Sequence, residues 1–550
     1  MLVKIKNLNK NTEIEYGTYI YKLAENENIT LHYPILGALV NNQVRSLNYR
    51  IHKPCCVDFF DITSTYGNGV YTRSLYFILF KSIKSLFPQA KLNILHSISG
   101  GKYCELENFT LPLDESILKA IKCKMDAIIA ANIPFIRKEI TYHEVDELFK
   151  KQSIEKEKSI FHQTNRMYFA IYQLDDVVNY YYGCLLPSTG YVTLYDLELY
   201  EHGLLLKIPN RKRPDVIPQT RKMPKLFSVY QQFKEWGNRL GSPYIYNLNE
   251  LIESGRAGEL ILTTEALQEK VWANVADEIH CKKAKIVLIS GPSSSGKTTS
   301  SKRLSVQLSV LEYLPVQISV DDFFLERNQT PLDKNGNYDF ESLEAIDLNL
   351  FNQTLDQLLE GKEVEIPSFN FQLGTKEWKG KKIKMQNNSI LVIEGIHCLN
   401  PKLTVSIADN TKYKIFVSAL TSLSVDSQNP IPTTDTRLIR RIIRDYHYRG
   451  YSALDTLRRW QSVRDGEEKN IFPYQENADV MFNTSLIYEL SVLRPYAMPI
   501  LMAVPEYEPE YAETCRLLKL LMFFKPISEE MIPGTSILRE FVGGSRFSYS

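Results

Sequence analysis

The chain has 550 residues, 44% of them hydrophobic, which is enough for about two to four domains. Lys and Arg total 65 against 64 Asp and Glu, so the net charge is +1 and no overall field attracts a polyanion such as DNA or RNA. The eight cysteines include no CxxC pair, which argues against a disulfide framework or a cysteine zinc site and favours a cytoplasmic location. The N-terminus lacks an apolar signal region and no apolar run is long enough for a membrane span, so neither export nor membrane insertion is expected.

The first 60 residues predict a small β-grasp-like module, with short strands around one helix. The run VKIKNL alternates polar and apolar residues at period two, and two further strands meet near a turn at Asn41-Asn42. This alternation is typical of strands that bury one face.

Residues 61–240 predict an α+β domain. Apolar residues recur at helical spacing over 70–88 and 116–132, and residues 168–200 are aromatic and strand-like. A helical connector is then expected over 241–283.

Residues 284–550 predict an α/β domain with a mostly parallel sheet. An apolar strand leads into Gly291-Pro-Ser-Ser-Ser-Gly296-Lys297-Thr298, and a helix follows directly. This is the strand, loop and helix context in which the pattern GxxxxGK[ST] binds phosphate. The residues predicted to bind ATP are Gly291, Ser293, Ser294, Ser295, Gly296, Lys297, Thr298 and Thr299.

The loop has a chemical reason for each residue type. Glycines let backbone N–H groups turn toward phosphate oxygens, and the helix N-terminus favours negative charge. We expect Lys297 to neutralise β- and γ-phosphate charge and Thr298 to bind Mg²⁺ through its hydroxyl. The alternative is a flexible serine-glycine loop.

Carboxylates follow two later strands. Asp321 and Asp322 end the strand after the loop, where open α/β sheets bind ligands, so one of them can act as a general base on a hydroxyl. The alternative is that the pair caps a following helix. Glu394 ends another apolar strand and is predicted as a second Mg²⁺ ligand. His397 receives no role, because a lone histidine there is more often packed.

Arginines cluster in the segment TDTRLIRRIIRDYHYRG. Arg437, Arg440, Arg441 and Arg444 share one helical face, and Arg449 follows. A cationic face after a phosphate loop predicts a lid that stabilises the transferring phosphoryl group. The alternative is a surface helix paired with acidic neighbours.

The motifs GPSSSGKTT, VDDFF, YDFESLEAIDL, IPSFNF, VIEGI and RLIRRIIRD resemble the uridine kinase and phosphoribulokinase family in order and spacing over residues 284–510. The resemblance implies that Asp321 is the base, that Glu394 binds Mg²⁺ and that Asp339 holds the acceptor sugar. It places the lid arginines at Arg441, Arg444 and Arg449. The predicted catalytic residues are Lys297, Asp321 and Arg444.

The segment departs from uridine kinases at the base-reading position. Those enzymes usually carry YDF and a nearby histidine, whereas this chain has Phe369-Asn370-Phe371 and Gly374. Phe369 and Phe371 are predicted to stack on a base, the alternative being a place in the core. The segment 418–436 is also longer than the resemblance implies, and its prolines suggest an ordered loop near the lid.

The N-terminal half resembles the TGS module and the second domain of threonyl-tRNA synthetases. That second domain carries an HxxxH pair and a later Cys/His pair, whereas the corresponding helix here reads Arg73-Ser-Leu-Tyr-Phe77 and the later region reads YYYGCLLPSTG. We therefore expect this half to bind or regulate rather than to catalyse. His96, Ser97 and Lys102 could form an anion-binding turn, the alternative being a plain hairpin.

These features together predict an ATP- and Mg²⁺-dependent kinase of a small-molecule acceptor, with a nucleoside such as uridine or cytidine first. A kinase of another sugar or polyol is the alternative with the same chemistry. An NTP-dependent regulatory protein that binds tRNA or a ribosomal component is the alternative of another class, supported by the basic stretch 211–222. The family resemblance also allows a homo-oligomer.

Overall fold

A computed structural model describes residues 1–151, 167–332, 336, 338–370, 373–421 and 423–548. Phe371, one of the predicted acceptor contacts, lies outside these residues. Within the described ranges, no helix has both the length and the apolar character needed to cross a membrane.

The first 60 residues form one mixed five-stranded sheet beside a short helix. The bounds are β1 Leu2–Ile5, β2 Lys10–Glu13, α1 Ile20–Asn26, β3 Gly37–Val40, β4 Gln43–Arg45 and β5 Cys55–Phe60. The strand order is β2-β1-β5-β3-β4, with β1 and β5 parallel. Asn41 and Asn42 have φ values of 47° and 55°, the left-handed conformation that a two-residue hairpin turn requires. The predicted turn is therefore present.

The next region combines helices with two antiparallel sheets. The bounds are α2 Thr65–Leu86, β6 Lys91–Ile98, β7 Gly101–Glu107, α3 Glu115–Ala130, β8 Ile136–Thr141, α4 Tyr142–Lys151, β9 Tyr168–Leu174, β10 Val177–Asn179, β11 Asp196–Tyr200, β12 Gly203–Lys207 and α5 Pro224–Arg239. The strand orders are β11-β12-β7-β6 and β10-β9-β8. Ser64 caps α2, since its Oγ accepts the Gly67 N–H at 2.8 Å.

The C-terminal region is an α/β unit. The bounds are α6 Ile245–Glu253, α7 Ala257–Lys282, β13 Ile286–Ser290, α8 Lys297–Val310, β14 Leu314–Ser319, α9 Leu348–Leu359, β15 Val364–Glu365, β16 Ser368–Asn370, β17 Thr375–Glu377, β18 Lys382–Ile383, β19 Ser389–Glu394, β20 Lys412–Ser418, β21 Ser424–Asp426, β22 Asn429–Pro430, α10 Thr433–Arg449, α11 Ala453–Asn470, β23 Val480–Asn483, α12 Glu489–Met502, α13 Tyr511–Leu521 and α14 Arg539–Val542. Five strands form one parallel sheet in the order β14-β19-β13-β20-β23. The predicted multidomain fold with a parallel α/β domain is confirmed.

Helix α7 packs on this parallel sheet. Trp272 is fully buried and contacts Phe482 of β23 with ring centroids 4.0 Å apart. Arg303 of α8 donates to Gln268 and Glu269 of α7, both at 2.8 Å. The segment expected as a connector is therefore helical, but α7 is a layer of the kinase-like core because its apolar face needs the sheet for burial.

The segment 418–436 leads into α10 and contacts the region that contains α2 to α5, called the second region below. It forms the β21–β22 hairpin, whose Gln428 Oε1 accepts from Asn179 Nδ2 at 2.9 Å and from the Tyr181 hydroxyl at 3.1 Å. The Ile94 N–H of β6 donates to the Ser427 carbonyl at 2.7 Å. The extra length of this segment thus supplies an interdomain contact directly before the arginine-bearing helix.

Candidate active site

The glycine-rich loop connects β13 to α8 at the carboxyl end of the parallel sheet. Ser294 and Gly296 adopt left-handed conformations with φ values of 56° and 83°, which curl the loop around the helix N-terminus. Lys297 folds back over the loop, and its Nζ donates to the carbonyls of Gly291 at 3.1 Å and Pro292 at 3.4 Å. The loop therefore brings a helix N-terminus and a lysine to one place, as phosphate binding requires.

Two predicted metal ligands meet beside this loop. The Thr298 hydroxyl donates to Glu394 Oε1 at 3.2 Å, and the Ser319 hydroxyl approaches the same oxygen at 3.4 Å. Burial raises the pKa of the Glu394 carboxyl to about 7, although the positive charge of Lys297 works in the opposite direction. A hydroxyl and a carboxylate at this edge are the hard oxygen ligands that Mg²⁺ takes alongside nucleotide phosphates and water, so these residues fit the ion.

The two aspartates after β14 face different partners. Burial raises the pKa of Asp321, and the nearby charges of Lys297, Arg449 and Arg444 oppose that rise. Asp322 instead accepts a hydrogen bond from the Phe369 backbone N–H, and burial also raises its pKa. Asp321 is therefore the carboxylate that belongs to the phosphate-binding surroundings.

Three of the predicted arginines gather around one acidic residue of α10. Asp445 lies 3.2 Å from Arg441, 3.4 Å from Arg444 and 3.4 Å from Arg449. Arg441 also donates to the Ser293 hydroxyl at 2.8 Å, which ties the group to the phosphate loop. The positive charge of Arg444, and then burial, lower the pKa of Arg449 to about 10, a sign of concentrated positive charge.

The other two arginines of the predicted lid face are buried structural residues, which corrects the sequence interpretation. Arg437 pairs with Glu467, and Arg440 pairs with Glu489, with both arginine side chains at most 1% exposed. They support the loop from behind, because Arg437 donates to the Ser293 carbonyl at 3.2 Å and Arg440 lies 3.5 Å from that of Ser294. Helical spacing placed four arginines on one face, but packing divides that face between core and site.

Glu467 of α11 is a loop-supporting residue that sequence reasoning missed. Its Oε1 accepts the Ser293 N–H at 3.0 Å, and its side chain is fully buried. Burial opposes ionisation, but the charge and hydrogen bonds of Arg437 hold the pKa of this carboxyl below its usual value. The only local signal was a carboxylate in RDGEEKN, which a solvated helix would also show.

The C-terminal helix α14 also reaches the phosphate loop. Glu540 Oε2 accepts from the Thr299 hydroxyl at 2.5 Å, and the negative charge of Glu540 contributes to the raised pKa of Glu394. The sequence carries no local signal for this contact, because Thr299 and Glu540 lie 241 residues apart along the chain.

The predicted acceptor contacts Phe369 and Asp339 lie in different surroundings. Phe369 is 7% exposed and packs on Phe324 with centroids 5.6 Å apart, which favours the core alternative over stacking on a base. Asp339 lies on the loop before α9, with its Oδ2 3.9 Å from Lys469 Nζ. Its role toward a sugar stays a prediction.

The proposed anion-binding turn in the N-terminal half is a hairpin. Ser99 and Gly100 have φ values of 51° and 74° between β6 and β7. Lys102 Nζ donates to the Ser97 hydroxyl at 2.6 Å, and the His96 ring stacks on Tyr230 with centroids 3.6 Å apart. These groups are engaged within the protein.

The position that carries histidine in the resembled synthetase domain is structural here. Arg73 donates to the Cys184 carbonyl through Nε at 3.2 Å and Nη2 at 3.1 Å. This link joins α2 to the segment after β10.

The parallel sheet, the phosphate loop and the carboxylates at its edge define a P-loop kinase domain. Residues 286–487 match the model of the "Phosphoribulokinase / Uridine kinase family", and this part of the chain is a domain of that family.

Similar proteins divide between the two halves of the chain. Threonine–tRNA ligase from Clostridium kluyveri is 30% identical over 192 residues, covering 34% of this chain and 29% of the ligase. Uridine kinase from Schizosaccharomyces pombe is 30% identical over 198 residues, covering 35% of this chain and 38% of that protein. The chain thus spans well under half of either relative. The N-terminal region is the part that resembles the ligase.

This chain covers a larger share of a third relative. Uridine-cytidine kinase B from Dictyostelium discoideum is 26% identical over 203 residues, covering 37% of this chain and 75% of that kinase. Among solved structures, D-glycerate 3-kinase from Cryptococcus neoformans matches with a TM-score of 0.23 and 13% identity, covering 46% of this chain and 88% of that chain. That score is too low to support an argument.

Proposed function

We propose that the C-terminal domain transfers the γ-phosphate of ATP to the 5′-hydroxyl of a nucleoside, uridine or cytidine first. The observation that carries the proposal is the grouping of Lys297, Thr298, Glu394 and Asp321 at one edge of the parallel sheet, with the arginines of α10 beside them. Each of these groups matches one need of phosphoryl transfer: phosphate binding, metal binding, a base and charge stabilisation.

The residues divide the chemistry between them. The loop and Lys297 would hold the phosphates, and Thr298 with Glu394 would hold Mg²⁺, which neutralises phosphate charge when bound. Asp321 would accept the proton of the attacking hydroxyl. Arg444 would stabilise charge on the phosphoryl group as it moves, with Arg441 and Arg449 beside it.

The base assignment can be tested with two neighbouring substitutions in the full-length chain. ATP consumption with Mg²⁺ is measured against a panel of nucleosides, sugars and polyols for the wild type, Asp321→Asn and Asp322→Asn. We expect Asp321→Asn to lower kcat with uridine or cytidine by about 10²- to 10⁴-fold. Asp322→Asn is the matched control, because an amide oxygen can still accept the Phe369 N–H, and it should keep most of the activity.

The panel also separates this function from its alternatives. Turnover only with another sugar or polyol would keep phosphoryl transfer but replace the nucleoside as acceptor. This outcome is worth testing because Phe369, which was predicted to stack on a base, lies in the core. Equal loss in both variants would contradict the role of Asp321. Silence across the whole panel would contradict the kinase proposal and favour an NTP-dependent regulatory protein.

A further inference from the structure

The segment 536–543, called the C-terminal segment below, folds over the phosphate loop. Ile537 packs on Gly296, since a Cβ atom placed on this glycine would collide with the isoleucine side chain. Phe541 lies under Arg440, whose guanidinium carbon is 5.2 Å from the ring centroid. The segment lies beyond the part of the chain that matches the family model. It therefore adds groups to the phosphate-binding surroundings that this match does not cover.

Burial and hydrogen bonds hold the C-terminal segment in place. Its side chains that are at most 1% exposed include Ile537, Leu538 and Phe541. Arg539 donates through Nη2 to the carbonyls of Glu529 at 3.0 Å and Ile532 at 2.6 Å. Apolar side chains buried in this way fix the backbone between them, because a shift would expose them to water. Glu540 therefore projects from a backbone with a defined position.

The Glu540 carboxylate lies against the first turn of helix α8. Its Oε2 accepts from the Thr299 hydroxyl at 2.5 Å, and Thr299 is the third residue of that helix. Among the residues that the structure describes, no lysine, arginine or histidine forms an ion pair with Glu540. The segment thus brings a negative charge, without a basic partner, to the end of the helix where a phosphate would bind.

The Thr299 hydroxyl connects this carboxylate to nucleotide binding. A hydroxyl has one proton to donate, and here Glu540 accepts it. Thr299 is also one of the residues predicted to bind ATP. While its proton is directed at Glu540, it is not available to a phosphate oxygen, so the carboxylate and a phosphate compete for the same donor.

Glu540 also influences the predicted metal-binding carboxylate. Burial is the main cause of the raised pKa of Glu394, and the negative charges of Asp321 and Glu540 add to it. Carboxylates that influence one another in this way repel, and a cation beside them relieves that repulsion. The charge of Glu540 therefore opposes a bare anion in this place and favours an anion that is accompanied by a cation.

We propose that Glu540 disfavours a nucleotide that arrives without its divalent cation, so that the domain selects the cation-bound form of ATP. A carboxylate repels the full charge of a metal-free triphosphate, whereas it repels the Mg²⁺ complex less because part of that charge is neutralised. This inference rests on the nucleotide site of the proposed kinase function and adds a specificity-determining residue to it.

The test measures equilibrium binding of ATP to the full-length chain by isothermal titration calorimetry, without an acceptor. Titrations in EDTA and in excess Mg²⁺ are compared at equal ionic strength, because salt screens the repulsion. Glu540→Gln removes the charge and keeps a carbonyl oxygen that can accept from Thr299. Glu540→Ala removes both. Glu530→Gln is the matched control, because it removes an exposed carboxylate from the chain just before the C-terminal segment.

We expect Glu540→Gln to lower the Kd of metal-free ATP by about 10-fold and to change the Kd of the Mg²⁺ complex by about 3-fold or less. Glu540→Ala should show the same selectivity, and Glu530→Gln should match the wild type in both titrations. The ratio of the two Kd values is the decisive quantity, because a change that only loosened the loop would weaken both forms of ATP.

Other outcomes would overturn the inference. An unchanged or raised Kd for metal-free ATP in Glu540→Gln, or an equal change for both forms, would make Glu540 a structural support of the loop. Those results would leave the kinase function standing. The expected change in the ratio, in a chain that phosphorylates no acceptor, would instead support the inference and overturn the kinase function. Absence of ATP binding by the wild type in Mg²⁺ would overturn both.

Discussion

At the scale of single residues, the site combines groups whose charge states depend on one another. Glu394 accepts from the Thr298 hydroxyl at 3.2 Å, and burial raises the pKa of its carboxyl to about 7 from an ordinary value of 4.5. A carboxylate held in such a place favours a proton or a cation over an unpaired negative charge. Binding of Mg²⁺ here, which the proposed function requires, would therefore be linked to stability.

The raised pKa predicts a pH-dependent difference between wild type and Glu394→Gln. Between pH 4.5 and about 7 the folded carboxyl binds more protons than the unfolded one, so the stability of the wild type falls as pH rises through this window. Without Mg²⁺, we expect Glu394→Gln to gain on the order of 1–3 kcal/mol relative to the wild type between pH 5 and pH 8. Urea denaturation at both pH values measures the difference.

Adding Mg²⁺ at pH 8 provides the internal control for this experiment. The ion should stabilise the wild type and not the glutamine variant, because only the carboxylate carries the charge that the ion compensates. A stability difference that is the same at pH 5 and pH 8 would contradict the assignment.

At the scale of secondary-structure elements, helices α10 and α11 act as one support for the phosphate loop. Arg437 and Glu467 join them through a buried pair, and both residues also bond to the backbone of Ser293. A buried pair of this kind contributes mainly geometry, because desolvation offsets much of its attraction. Its loss, however, leaves an unpaired charge in the core.

Glu467→Gln is therefore expected to lower stability and to weaken nucleotide binding. Removing one partner of a buried pair costs roughly 3–5 kcal/mol, measured by urea denaturation, and KM for ATP should rise because the Ser293 region loosens. Glu468→Gln is the matched control, since this adjacent side chain is 47% exposed and exposed pairs contribute about 0–1 kcal/mol. Equal effects from the two changes would show that α11 does not support the loop through Glu467.

At the scale of the whole molecule, the second region contacts the kinase domain through buried polar groups. The β21–β22 hairpin inserts Gln428 between Asn179 and Tyr181, all three at most 3% exposed, and α10 begins shortly afterwards at Thr433. Buried polar contacts of this kind specify one relative placement of two units, because any other placement leaves them unpaired. The N-terminal half thus contacts the chain just ahead of the arginines that lie in the site.

Gln428→Leu tests that connection. It leaves the Asn179 amide and Tyr181 hydroxyl without their acceptor, which should lower the free energy of unfolding by about 1–3 kcal/mol. Tryptophan fluorescence and circular dichroism should shift together if the two regions unfold as one unit. Gln461→Leu is the exposed control and should change stability by about 0.5 kcal/mol or less. Separate transitions for the two signals in the wild type would contradict a single unit.

The sequence by itself determined the features whose cause is local. The phosphate loop follows from glycines, a lysine and a threonine between a strand and a helix, and the Asn41-Asn42 hairpin follows from two residues that tolerate positive φ. The parallel sheet followed from short apolar runs that alternate with helical patterns. Each of these signals lies within a short stretch of sequence, so it can be recognised without knowing which distant residues pack against it.

Only the tertiary structure decided which side chains meet across long distances. It placed Arg437 and Arg440 in buried pairs and left Arg441 and Arg444 at the site, although helical spacing puts all four on one face. It also brought Glu467 to the phosphate loop. The physical reason is that burial, pairing and close approach depend on partners 30 to 174 residues away along the chain, which a local pattern does not specify.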